Sequence, residues 1–172
     1  PVQCYYIGQG EDDNEFSSTV RTFATNNNKT LAVFGGTFEE KASVFSIEDG
    51  ILNKISDITK KGISLSGDVN VAAFSPSGNV LVIGGMFDGY ASVFSVNDET
   101  FEYIADITLS GGLPINGEVN AIAFSPDGSM LVLGGAFTGY AAEFSVSGTS
   151  VTYISAITKG NAALTGNVNC AV

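Results

Sequence analysis

An all-β fold built from repeated four-stranded antiparallel units is what this 172-residue sequence predicts. Three observations carry the prediction. Residues 117–135 and residues 67–85, fifty positions apart, match almost residue for residue. Each copy places a tight-turn signal, Ser125-Pro126-Asp127-Gly128 or Ser75-Pro76-Ser77-Gly78, between two short apolar runs. No helical period occurs anywhere along the chain. A repeat of this length marks units that cannot bury their own apolar faces and must stack.

Within a unit, Val119, Ala121 and Ala123 alternate with Asn120, Ile122 and Phe124. That composition suits a strand with both faces largely covered. Pro126 presets φ for the turn, and Gly128 accepts positive φ at its end. Met130 to Leu133 is the second strand, and the glycine pair Gly134-Gly135 ends it where backbones approach closely or bulge. Tyr140 to Val146 forms the third strand and Val151 to Ile157 the fourth, with Ser147-Gly148-Thr149-Ser150 as the turn between them. Four short antiparallel strands per unit is the pattern of a β-propeller blade.

The Val-Asn-x-x-Ala-Phe-Ser-Pro-(Asp/Ser)-Gly segment, followed by an apolar strand and paired glycines, resembles the WD-repeat β-propeller family. Phe45-Ser46, Phe94-Ser95 and Phe144-Ser145 stand where that family usually places Trp-Asp. The resemblance covers nearly the whole chain and implies a rigid, non-catalytic binding platform. The chain departs from the family in having neither Trp nor His, so the Gly-His and Trp-Asp signatures and their hydrogen-bonded network are absent. The unit is also longer than usual, with extra residues before each new blade, as in 107–116.

Taken in order, residues 1–16 read as the outer strand of a preceding blade plus an acidic linker, since Cys4-Tyr5-Tyr6-Ile7 resembles Phe101-Glu102-Tyr103-Ile104. Glu11-Asp12-Asp13-Asn14-Glu15 lacks the spacing of a calcium loop and reads as solvated. Residues 17–65 form blade 1, the most diverged. There Asn26-Asn27-Asn28-Lys29 replaces the Ser-Pro turn, with asparagine expected to take the left-handed conformation. Asn28-Lys29-Thr30 is a sequon, making Asn28 a candidate glycosylation site if the protein is secreted. Residues 66–116 form blade 2 and 117–165 blade 3, and 166–172 read as the first strand of a further blade. Closed propellers need about 4–8 blades. Three explanations stay open: a stretch of a longer propeller, two copies closing one ring, or copies joined end to end. The chain starts at Pro1 without Met, and no signal peptide is visible.

Hydrophobic content of 44% and mean hydropathy of +0.24 are accounted for by buried strands, because no run reaches the ~18 apolar residues of a membrane span. The net charge is −11, and the seven basic residues are scattered. Nucleic acid is repelled and an anionic membrane surface disfavoured on that ground, so neither nucleic-acid binding nor membrane insertion is expected. Cys4 and Cys170 read as two buried thiols in strand positions, a disulfide between them staying open.

No cofactor or metal is implied. Without histidine there is no Ser-His-Asp triad or imidazole ligand, and the glycine pairs lack a phosphate-loop lysine. Asp57 and Asp106 occupy matched places in two blades, with Ala156 at the third. A turn or strand-end role is the simpler account of them than paired glycosidase carboxylates. Glu143 stands where Val44 and Val93 stand in the other units, so it is either exposed or paired, and it is a candidate partner contact. Tyr90 and Tyr140, each after a glycine, either pack between blades or stack on a ligand. The expected function is therefore a non-enzymatic interaction or structural module, within a larger propeller or an oligomer, whose partners are proteins or further copies of itself. The alternative is a carbohydrate-binding or carbohydrate-active propeller. Low lysine content and Gly/Ser/Thr-rich turns favour an extracellular or surface setting over the cytoplasm.

Overall fold

The computed structural model describes residues 18–171, and the readings placed on residues 1–16, including Cys4 and the acidic linker, lie outside them. Three four-stranded antiparallel sheets follow one another, each in simple meander order. The first comprises β1 (Val20–Thr25), β2 (Leu31–Gly36), β3 (Ala42–Glu48) and β4 (Ile51–Asp57). A small hairpin of β5 (Thr59–Lys60) and β6 (Ile63–Ser64) leads onward. The second sheet comprises β7 (Val69–Phe74), β8 (Val80–Gly85), β9 (Ala91–Asn97) and β10 (Thr100–Asp106). Its connection turns through a 3-10 element at Ser110–Gly112 and closes with a Thr108–Pro114 bridge. The third comprises β11 (Val119–Phe124), β12 (Met130–Gly135), β13 (Ala141–Ser147) and β14 (Ser150–Ala156), followed by a hairpin of β15 (Thr158–Lys159) and β16 (Ala162–Ala163).

Strand β1 lies against β7, and β7 against β11, so the first strand of every sheet is innermost and the sheets stand as blades around a common axis. Close approach at that axis has a specific cause. Val69 of blade 2 points at Gly35 of blade 1, and a Cβ placed there would sit 2.5 Å from the valine Cγ1. Val119 meets Gly84 in the same way at 2.6 Å, and Val168 meets Gly134 at 2.5 Å. Only a residue with no side chain leaves room for this notch.

Outward from the notch, each pair of blades shares an apolar core. Leu31, Val33 and Val44 of blade 1 face Leu81, Ile83, Phe94 and Val96 of blade 2. Val80, Val82 and Val93 of blade 2 face Leu131, Leu133 and Phe144 of blade 3. A fully buried side chain of this size contributes about 1.5–3 kcal/mol, whereas an exposed ion pair contributes about 0–1. Packing between blades therefore outweighs the surface salt bridges. The turns follow local chemistry. Ser75 and Ser125 hydroxyls accept from the amides of Val80 and Met130. Asp127 accepts from the Ser125 hydroxyl at 2.6 Å and from the amide and hydroxyl of Ser129.

Several expectations need correction. Residues 167–171 are not a strand. Val168 is nevertheless seated in its notch, and its amide reaches Gly135 O at 3.3 Å with no strand ladder among the described residues. Cys170 is consequently exposed, not buried. Tyr140 precedes the third strand instead of opening it, at φ 61°. In the diverged turn of blade 1 it is Lys29, not an asparagine, that takes the left-handed conformation, with φ 58°. Asn26 holds that turn instead: its buried amide oxygen accepts from the backbone of Thr30 and Leu31 at 3.0 Å each.

Replacing Gly84 by Ala forces a methyl into Val119 and is expected to lower unfolding free energy by about 1–3 kcal/mol in urea denaturation, with Val119→Ala restoring part of the loss. A second expectation concerns pH. The Ser125 hydroxyl, then the Ser129 amide and hydroxyl, hold the Asp127 carboxyl at about 2, below its usual 3.8. Since the folded value is the lower one, what these bonds contribute is present above about pH 4 and is lost as pH falls through about 2. An NMR titration should place the Asp127 midpoint near 2 in the native protein, and Ser125→Ala should raise it.

Candidate functional site

Each inner strand carries a β-bulge at the same place, at Arg21, Asn70 and Asn120. A bulge re-aims the extra residue's side chain, and here it links the three blades. The Arg21 guanidinium donates to Asn70 Oδ1 at 2.6 Å, and the Asn70 amide donates to Asn120 Oδ1 at 3.0 Å and to Glu118 at 2.7 Å. Asp68 receives both Arg21 at 3.5 Å and Lys41 at 3.4 Å. This polar belt crosses from blade to blade at the inner edge and fixes their relative registration.

A second set of polar groups joins the third strand of a blade to its outer strand. Ser43 donates to Asp57 at 2.7 Å, and Ser92 donates to Asp106 at 2.6 Å. The matched residues in blade 3, Ala142 and Ala156, face each other with both polar partners lost together. Asp106 has a further neighbour. Lys60 Nζ, from the β5–β6 hairpin, lies 2.7 Å and 2.9 Å from its two oxygens and donates to Asp88 O at 2.6 Å. The same ammonium lies 5.3 Å from the Tyr103 ring centre and Lys61 lies 5.8 Å from it. Burial, then the Asp106 charge, pushes the Tyr103 phenol up. These residues, with Ile63, Ser64, Leu65, Ser66 and Asp88, line a groove of about 320 Å³ between the hairpin and blade 2. The equivalent groove of about 470 Å³, between the 108–112 connection and β14, is lined by Leu109, Ser110 and Tyr153 and has no charged side chain.

One edge of the blades is markedly apolar. Ile63 (71% exposed), Leu113 (64%) and Met86 (55%) are the most exposed large apolar side chains among the described residues. Ile63 and Leu113 occupy matched positions on consecutive connections, and Met86 O lies 2.5 Å from where a Cβ of Gly67, just past the first hairpin, would stand. All three therefore sit at the end of the blades that bears the connecting hairpins.

The sequence-derived candidates are dispersed across the blades. Tyr90 adopts φ 59°, closes the β8–β9 turn and packs against the core between blades 2 and 3. Tyr140 holds the matched place on blade 3, half-buried. Glu143 pairs across the sheet with Val132 and Ser155 and is half-buried, whereas Val44 (0%) and Val93 (2%) are covered by the next blade. The flank that holds it, with Met130 and Val132, is thus open where its counterparts are closed. Asn28 is exposed, its amide oxygen accepting from the Thr30 hydroxyl at 3.2 Å. Asp57 and Asp106 sit on outer strands of different blades and are tied to their own serines, so the structure does not bring them together as a carboxylate pair. Among the described residues no cluster of His, Cys, Asp and Glu has metal-ligating geometry, and no helix is long and apolar enough to cross a membrane. The grooves under the connections and the bulge at the inner strand are what sequence reasoning missed. Lys60-Lys61 inside an otherwise acidic chain was the signal for the first.

The WD domain, G-beta repeat family matches residues 108–138, which span the second connection and the first two strands of blade 3. No curated protein matches the chain. Among solved structures, Sqt1 of Saccharomyces cerevisiae superposes with a TM-score of 0.62 at 14% identity, over 81% of this chain and 35% of its own. A protein from Lactobacillus plantarum gives 0.63 at 11% identity, over 86% and 42%. The periplasmic gluconolactonase PpgL of Pseudomonas aeruginosa gives 0.57 at 18% identity, over 77% and 38%. The chain thus spans about two-fifths of the length of these structures. Repeated four-stranded blades and their radial stacking give this chain the fold of a β-propeller, with a WD-like repeat at 108–138.

Proposed function

We propose that this chain is a non-catalytic interaction module, presenting the hairpin-bearing edge of its blades to a protein partner. In the working assembly a further blade, from a longer propeller or from another copy, covers blade 3. The observation that carries the reading is the concentration of Ile63, Leu113 and Met86 on one edge. Exposed apolar groups gathered in one region mark interaction surfaces. Two features support the absence of catalysis. The carboxylates Asp57 and Asp106 are engaged in structural bonds on separate blades, and Tyr90 is held in a turn against the core. Glu143 fits the assembly: a charge on an otherwise apolar flank discourages indiscriminate stacking, as inward-pointing charges do on sheet edges.

The rival activity is lactone hydrolysis, named for PpgL, and the rival ligand is a glycan. Purified protein is expected to leave the hydrolysis of glucono-δ-lactone at the buffer rate. It should also retain a protein partner through gel filtration, with recovery reduced by Met86→Ser. Saturable lactone turnover, or glycan binding abolished by Tyr90→Ala and Tyr140→Ala, would replace this reading. Glu143→Val makes the flank of blade 3 resemble those of blades 1 and 2. It is expected to bring on self-association at roughly tenfold lower protein concentration in sedimentation velocity, a shift of about 1.4 kcal/mol.

A further inference from the structure

The connecting segments that follow the three blades differ from the rest of the chain in charge. Residues 58–66, 107–116 and 157–165 hold Lys60, Lys61 and Lys159 and no Asp or Glu, in a protein of net charge −11. Elsewhere carboxylates dominate. The first connection also forms the wall of a groove whose other wall is β10 of the next blade.

The two lysines of that groove play different parts. Lys60 is bound to Asp106 and to Asp88 O, and its charge is compensated. Lys61 lies at the hairpin tip, with φ 55°, over the face of Tyr103, and no carboxylate pairs with it among the described residues. Beside it Ile63 projects into solvent. An uncompensated ammonium, an aromatic face and an exposed branched aliphatic therefore adjoin in one open cleft. The matched cleft on blade 3 keeps the aromatic, Tyr153, but puts Leu109 and Ser110 where the lysines stand.

We propose that the groove between the β5–β6 hairpin and β10 docks an extended acidic segment of a partner protein. A carboxylate of that segment meets Lys61, and an adjacent apolar side chain lies on Ile63 and the edge of Tyr103. The assignment rests on the interaction-module reading and names its surface and partner class. Charge decides between occupants. A nucleic acid or an anionic membrane would carry its charge across the acidic surface surrounding the groove and be repelled. A short peptide places one or two carboxylates within the ~8–10 Å over which Lys61 acts unscreened.

The test uses a fluorescein-labelled hexapeptide of four glutamates flanking a Leu-Phe pair, with a lysine-for-glutamate counterpart as control, read by fluorescence anisotropy on the whole chain. The acidic peptide is expected to bind at least about tenfold more tightly than the counterpart. Lys61→Glu should weaken it about tenfold and Ile63→Ser about threefold, while Ser110→Ala, in the uncharged cleft, leaves it unchanged. Circular dichroism verifies that these exposed substitutions leave the fold intact. Absent binding, equal binding of the two peptides, or an affinity indifferent to Lys61→Glu overturns the proposal. Lys61-dependent binding of single-stranded DNA or of phosphatidylserine vesicles above that of the acidic peptide also overturns it, by reassigning the groove. Lactone turnover would sink the module reading while the peptide result still judged the groove. Partner retention with no peptide response would sink the groove alone.

Discussion

The seating of a valine against a glycine at the inner edge is the constraint on which this architecture depends. Val69, Val119 and Val168 each fill the space left by a missing side chain on the preceding blade. That contact lets inner strands approach more closely than two side chains permit, so the sheets splay outward as wedges. The wider outer gaps are then filled by larger residues, Phe94 and Phe144 among them. Small at the axis and large at the rim is a steric requirement of radial packing, and paired glycines at the ends of β2, β8 and β12 satisfy it.

A blade packed this way has two apolar faces and needs a neighbour on each. Blade 2 has both, and Leu81, Val82, Ile83 and Phe94 are wholly enclosed. Among the described residues blade 3 has one, and there the matching residues diverge. Glu143 replaces a valine, Met130 and Val132 are half-open, and Ser–Asp becomes Ala–Ala.

The same logic connects a structural bond to a binding surface. Asp106 accepts from Ser92 within its own blade and also anchors Lys60 from the preceding connection. The anchoring places the hairpin over Tyr103 and leaves Lys61, among the described residues, without a carboxylate partner in the groove. Gly89 belongs to this arrangement too, since a Cβ there would lie 2.5 Å from the Asp106 carboxyl carbon. In blade 3, where Asp106 is matched by Ala156, the corresponding Gly139 meets only a methyl at 3.7 Å, and the cleft there lacks charge.

The sequence by itself determined the repeat, the four strands of each unit and the Ser-Pro turns, because these depend on interactions within some fifteen residues: alternation, turn propensity and local hydrogen bonds. It also made the notch partly legible, since glycine pairs recur at strand ends. Only the tertiary structure decided what became of residues whose partners are distant. Val168 is seated yet its segment has no ladder, so Cys170 is exposed where its counterparts in complete blades are strand residues. Lys29 takes a left-handed conformation because Asn26 ties the turn down from beneath. Val93 is buried and its counterpart Glu143 half-buried, because among the described residues only the former has a blade packed over it. Two connections that read as extra length fold into short hairpins, and the third closes through a single bridge. The groove exists because the first of these brings Lys60 to an aspartate forty-six residues away, and no local pattern encodes that meeting.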